Sequence, residues 1–157
     1  MQRPTDSWEA LVDQAQTGRA VGKVILLRES LGGGVPARDA ADALMAARGF
    51  ERLGDRWFDV DRETAEQSLS HVFATELSSD QPAMAASEAA RLAAALLDRI
   101  SPATYLTNGA WVAGVIPLGW GTRIGPFWTP VTSPAFDGGV IAVARDTIAM
   151  LWVEDHA

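Results

Sequence analysis

The sequence lacks cysteine altogether and has only one lysine, Lys23, among its 157 residues. Without cysteine, the chain can form no disulfide, no thiolate metal site and no cysteine nucleophile. It has only two histidines, His71 and His156. These are too few for a multi-histidine metal centre and argue against a Ser-His-Asp triad. We therefore expect no catalytic residues, no metal and no cofactor, and predict a protein that is not an enzyme.

Long apolar runs and basic clusters are also missing. No run approaches the roughly 20 residues of a membrane-spanning helix, and residues 1–9 have no apolar segment like that of a signal peptide. The net charge of −7, with no cluster of Lys or Arg to offset it, argues against binding to nucleic-acid phosphates. These features predict a cytoplasmic protein whose partner is another protein, not a membrane or a nucleic acid.

The composition fits one globular domain over residues 1–157, because 48% of the residues are hydrophobic and 21% are charged. Residues 1–100 are rich in helical patterns, whereas residues 101–157 are rich in strand and loop patterns and in tryptophan. Residues 61–100 are the most acidic part, with seven acidic and three basic residues. No linker or repeat divides the chain.

Apolar spacing predicts four helices in the first hundred residues. The first is capped by Asp6 or Ser7 and carries an apolar stripe that begins at Trp8. The next three are predicted to begin near Pro36, Asp61 and Pro82. Their predicted apolar stripes are Ala37, Ala40, Ala41 and Leu44; Ala65, Leu69, Val72 and Phe73; and Ala85, Ala89, Leu92, Leu96 and Ile100.

The strand signals are shorter. Residues 24–27 and 103–106 each predict one strand, and residues 50–60 predict a hairpin around Gly54-Asp55. The nearly apolar runs at 140–144 and 147–153 predict a second hairpin, in the middle of a sheet. Together the elements predict an α+β fold, with helices packed on one face of a mainly antiparallel sheet.

Four segments of the C-terminal third carry a resemblance: Tyr105–Gly109, Trp128–Thr132, Phe136–Ile141 and Leu151–Asp155. Together they are similar to a small bacterial family of acidic cytosolic proteins. Proteins of this kind resemble the immunity proteins of contact-dependent or secreted toxin systems. The resemblance implies stoichiometric binding to a cognate toxin and carries no catalytic residue to this chain.

Two groups of residues are candidate contacts with such a partner. An acidic surface would steer the protein to a basic toxin, and aromatic side chains often dominate binding energy. Trp120 lies between two glycines and is the candidate aromatic anchor, whereas Trp128 and Trp152 are expected in the core. The first group is Trp120, Arg123, Asp137, Glu154 and Asp155; the second, acidic group is Glu63, Glu66 and Glu76.

Two other functions remain open at this point. The glycine loop at residues 32–34 and the Trp-rich loops could form the pocket of a small-molecule-binding protein or enzyme, which would require a deep apolar cavity. The chain could instead be a homo-oligomeric structural protein that uses an exposed strand of the C-terminal hairpin.

Overall fold

The computed structural model describes residues 7–77, 79, 81–109, 111, 129–132 and 136–155. These residues form four α-helices, one short 3-10 helix and five strands. In chain order they are α1 (Trp8–Gly18), β1 (Lys23–Ser30), α2 (Ala37–Ala47), the 3-10 helix Gly54–Arg56, β2 (Phe58–Val60), α3 (Arg62–Ala74), α4 (Ala86–Asp98), β3 (Thr104–Thr107), β4 (Phe136–Val143) and β5 (Thr147–Asp155).

The five strands form one antiparallel sheet in the order β1-β5-β4-β3-β2. This confirms the predicted α+β fold and the hairpin of β4 and β5 in the middle of the sheet. Because β5 pairs with β1 and β4 pairs with β3, neither hairpin strand has an open edge. A homo-oligomer built on an exposed strand of this hairpin therefore conflicts with the topology.

Helices cover both faces of the sheet. One core contains the apolar stripes of α1, α3 and α4 together with Val140, Ala142 and Leu151 of the central strands. The other contains the stripe of α2 with Ile141 and Met150, whose side chains point to the opposite face. The sequence analysis placed the helices on one face, and α2 is the exception. Burial on both faces explains why β4 and β5 are almost continuously apolar.

α1 and α3 begin at their predicted capping residues and α2 begins directly after Pro36, whereas α4 begins at Ala86, four residues beyond Pro82. The Ser7 hydroxyl accepts a hydrogen bond from the Ala10 amide at 3.1 Å, and the Asp61 carboxylate accepts one from the Thr64 amide at 2.7 Å. This bond to the Thr64 amide lowers the pKa of Asp61. Each cap satisfies an N–H group that has no partner within its helix.

The hairpin predicted for residues 50–60 is wrong. Residues 50–53 form no strand, and β2 pairs with β3 instead. The backbone of this segment bonds elsewhere. The Glu51 amide donates to the Val131 carbonyl at 2.8 Å, and the Asp42 carboxylate on α2 accepts from the Leu53 and Gly54 amides and from the Trp57 indole. These bonds hold the segment against α2 and Val131, so its backbone does not pair with β2.

Gly22 shows how closely the turn before β1 packs against the end of β5. Its φ of +76° is unfavourable for other residues, and a Cβ there would lie 2.0 Å from Asp155 Oδ1 and 2.8 Å from the Glu154 carbonyl oxygen. We expect Gly22→Ala to lower the free energy of unfolding by about 2 to 3 kcal/mol, as measured by urea denaturation.

Gly49 provides the matched control for this substitution. Its φ is +75°, but a Cβ there would meet no atom of the described residues within 4 Å. Gly49→Ala should therefore cost only the backbone term, about 1 kcal/mol. Equal losses for the two variants would contradict the close approach of Gly22 to Asp155.

Among the described residues, no helix combines the length and the apolar character needed to cross a membrane.

Candidate functional site

An open groove of about 820 Å³ runs between α3 and the first half of α4. Its α3 side consists of residues that recur at helical spacing on the face opposite the core stripe. Small side chains of α3 and α4 leave room for a ligand. The lining residues are Arg62, Glu63, Glu66, Gln67, Ser70, His71, Ala74, Thr75, Ala86 and Ala90.

The groove is acidic because its arginine, Arg62, already forms ion pairs with carboxylates of the chain. The Arg62 guanidinium lies 2.7 Å from Asp98 Oδ1 and 3.5 Å from Glu66 Oε2, and it donates to the Ala94 carbonyl at 3.2 Å. Glu63 and Gln67 are exposed, and Glu66 is half-buried. Because Arg62 is shared by Glu66 and Asp98, the two lining carboxylates, Glu63 and Glu66, leave a net negative charge along the α3 side.

His71 links the groove to the β3 end of the sheet. Its ring stacks on Trp111, with ring centroids 6.3 Å apart and an interplanar angle of 26°. The Trp111 indole packs on Gly138, where a Cβ would lie 2.2 Å from it, and Trp111 Nε1 donates to Asn108 Oδ1 at 3.3 Å. Nothing in the sequence near His71 indicates this stacking, because Trp111 lies 40 positions further along the chain.

Asp137 is the acceptor at the centre of a buried network. Its carboxylate accepts from the Val131 amide at 2.9 Å, from the Thr132 amide and hydroxyl at 2.6 Å each, and from Asn108 Nδ2 at 3.0 Å. Burial raises the pKa of Asp137 and outweighs the hydrogen bonds from Thr132 and Val131, which lower it. The Trp152 indole also lowers this pKa, although its Nε1 makes no hydrogen bond of normal geometry to any described residue.

Arg19 and Asp155 form a second buried polar cluster. Arg19 Nη2 lies 2.7 Å from Asp155 Oδ2 and 2.8 Å from Oδ1, and both side chains are at least 98% buried. Arg19 also donates to the carbonyls of Val72 and Phe73, and the Leu77 amide donates to Asp155. This pair ties the end of α1 to the end of α3 and to β5.

The candidate contact residues therefore separate into four groups. Glu63 and Glu66 lie together in the groove. Glu76, just beyond lining residue Thr75, is half-buried and accepts a hydrogen bond from the Ser79 hydroxyl at 2.9 Å. Trp120 and Arg123 lie outside the described residues.

The remaining three candidates are buried. Asp137 is 0% exposed and Asp155 is 1% exposed, and both carboxylates are bound by the chain's own donors, which leaves them no exposed surface for a partner. Glu154 is 8% exposed and lies 3.9 Å from Lys23 Nζ. Trp152 is fully buried, as predicted, whereas Trp128 lies outside the described residues.

Within the described ranges, no three His, Asp or Glu side chains converge as metal ligands would. Comparison of the chain with family models, with curated proteins and with solved structures gives no match.

Proposed function

We propose that this chain is an immunity-type binding protein that neutralises a cognate bacterial toxin by direct stoichiometric binding, and that the groove between α3 and α4 receives a basic segment of the toxin. The observation that supports the proposal is the position of Glu63 and Glu66 side by side in an open groove whose lining arginine, Arg62, is bound to Glu66 and Asp98.

The shape of the groove favours a protruding segment of a protein. Small-molecule sites bury most of their ligand's surface. Here, in contrast, Glu63, Gln67, Ala86 and Ala90 are all exposed, so the groove is open to solvent. A lysine or arginine side chain, or a basic helix, could lie against the alanines and meet the carboxylates.

The charge of the chain supports the same partner. A net charge of −7 attracts a basic protein over a long range and speeds association, and local carboxylates then set the orientation of docking. Binding of this kind is expected to weaken as salt concentration rises, because salt screens the long-range attraction.

The test uses the protein encoded by the gene directly upstream of the gene for this chain, which the proposal expects to be a toxin. We expect Glu63→Lys with Glu66→Lys to slow association with the toxin roughly tenfold or more and to abolish growth protection. Surface plasmon resonance and co-expression growth assays measure the two effects.

The matched control is Glu9→Lys with Asp13→Lys on α1, which makes the same change in net charge at two exposed positions away from the groove. The control variant should protect almost as well as the wild type. If both double variants lose the same amount of affinity, total charge alone is responsible and the groove is not the binding site. If no toxin is bound by the wild type, the proposed function itself is wrong.

A further inference from the structure

Strand β1 is an edge strand. Among the described residues its only strand partner is β5, and its register runs from Lys23 opposite Glu154 to Ser30 opposite Thr147. The Leu31 amide donates to the Asp146 carbonyl at 2.9 Å, and this bond shows which residues of β1 form hydrogen bonds with β5. Odd-numbered residues of β1 therefore bond to β5, and the N–H and C=O groups of Val24, Leu26 and Arg28 point outward.

The odd-numbered side chains of β1 lie on the face that α2 covers. Ile25 and Leu27 pack against that core but remain half-buried, so part of each apolar side chain faces solvent. Lys23 and Glu29 flank them on the same face, with Lys23 68% exposed and Glu29 40% exposed at the side chain. On this face, the outward edge of β1 therefore presents the apolar side chains of Ile25 and Leu27 between the cation Lys23 and the anion Glu29.

We propose that β1 pairs with β1 of a second copy of this chain, antiparallel and about a two-fold axis at Leu26. In this register Leu26 faces its own equivalent and Val24 faces Arg28 of the second copy. Lys23 then lies opposite Glu29 of the second copy, and Ile25 lies opposite Leu27 of the second copy. The result is one continuous sheet across two copies, and it is independent of toxin binding.

Charge complementarity favours this register over others and favours a second copy of this chain as the partner of β1. The Lys23–Glu29 and Ile25–Leu27 pairs fall at positions without mutual hydrogen bonds, where side chains on facing strands approach most closely. About six main-chain hydrogen bonds join the two edges in this register. A shift by two residues toward the C-terminus places Glu29 opposite Ile25 and leaves Lys23 without a carboxylate.

Charges on edge strands often prevent association, so the positions of these charges matter. Arg28 lies over the Trp8 ring at 4.8 Å, on the other face from Lys23 and Glu29. Glu29 binds Arg48 through Oε1 at 2.6 Å, and a carboxylate can accept at both oxygens. In the proposed register, no two like charges of β1 lie directly opposite each other.

The experiment is a charge-reversal cycle on the full chain, measured by sedimentation velocity over a wide range of protein concentration. The wild type is expected to dimerise reversibly. Lys23→Glu and Glu29→Lys, each present twice in a dimer, should each raise the dissociation constant roughly tenfold or more. The double variant Lys23→Glu with Glu29→Lys recreates both pairs and should restore dimerisation.

Glu9→Lys on α1 is the control for net charge and should leave the dimer unchanged. A second measurement needs no variant: amide hydrogen exchange at Val24, Leu26 and Arg28 should slow as the protein concentration rises. A wild type that stays monomeric, a double variant that dimerises no better than the singles, or dimerisation without protection of these amides would each overturn the proposal.

Discussion

Asp155→Ala is expected to lower the free energy of unfolding by about 3 to 5 kcal/mol, the largest stability effect that this structure predicts for one substitution. The variant leaves the Arg19 guanidinium buried without its counter-charge, and the Leu77 amide loses its acceptor at 2.6 Å. The remaining bonds of Arg19 to the Val72 and Phe73 carbonyls do not neutralise the cation. Urea denaturation followed by circular dichroism measures the loss.

The control removes both charges. In Arg19→Met with Asp155→Leu, apolar side chains replace the pair, and most of the lost stability should return because no charge remains buried. If Asp155→Ala unfolds at the same urea concentration as the wild type, the ion pair is not buried as described. If Arg19→Met with Asp155→Leu is less stable than Asp155→Ala, the hydrogen bonds and packing of the cluster stabilise the fold in addition to the neutralisation of the two charges.

Asp137→Ala is expected to lower the free energy of unfolding by about 3 kcal/mol, because it leaves several buried donors without an acceptor. The amides of Val131 and Thr132 and the Asn108 side chain all donate to this carboxylate. These donors come from two separate segments, so the loss of their acceptor should loosen residues 129–132 from the beginning of β4. Thermal denaturation and hydrogen exchange at these amides measure the two effects.

The pH dependence tests the state of this carboxyl group. Because the pKa of Asp137 is raised in the folded protein, folding favours its protonated form. Its stabilising contribution is therefore complete below the ordinary value of 3.8 and is lost as pH rises through the folded pKa. The stability of the wild type relative to Asp137→Asn should rise as pH falls through this range. A constant difference would show that the carboxyl group titrates normally.

These two buried carboxylates affect how the proposed interface can be tested. Asp137 and Asp155 were candidate contacts, but substitutions there are expected to destabilise the fold, so lost growth protection would not identify a binding surface. Glu63 and Glu66 are better positions, because neither lies in the core.

Local signals in the sequence predicted the helices well. Asp61 caps α3 because a short carboxylate before an apolar stripe can reach the N–H groups of the first turn. Glu63 and Glu66 of the acidic candidate group lie i and i+3 on α3 and both line the groove. The apolar runs of β4 and β5 likewise predicted central strands.

Features that depend on distant residues could not be predicted in this way. The burial of Asp155 requires Arg19, which is 136 positions away, and nothing near either residue indicates the other. The segment at residues 50–53 has strand-like composition, yet the Asp42 side chain binds its backbone. The stripe of α2 looks like those of the other helices, so its position on the opposite face follows only from the chain's path across the sheet.

The pairing of β1 with β5 makes folding depend on residues from opposite ends of the described chain. Lys23 and Glu154 are about 130 positions apart, and β5 also separates β1 from the rest of the sheet. During synthesis, β1 has no strand to pair with until the ribosome releases β5, and closing so long a loop slows folding. Nascent chains stalled before Thr147 should therefore remain protease-sensitive and become resistant only after β5 emerges.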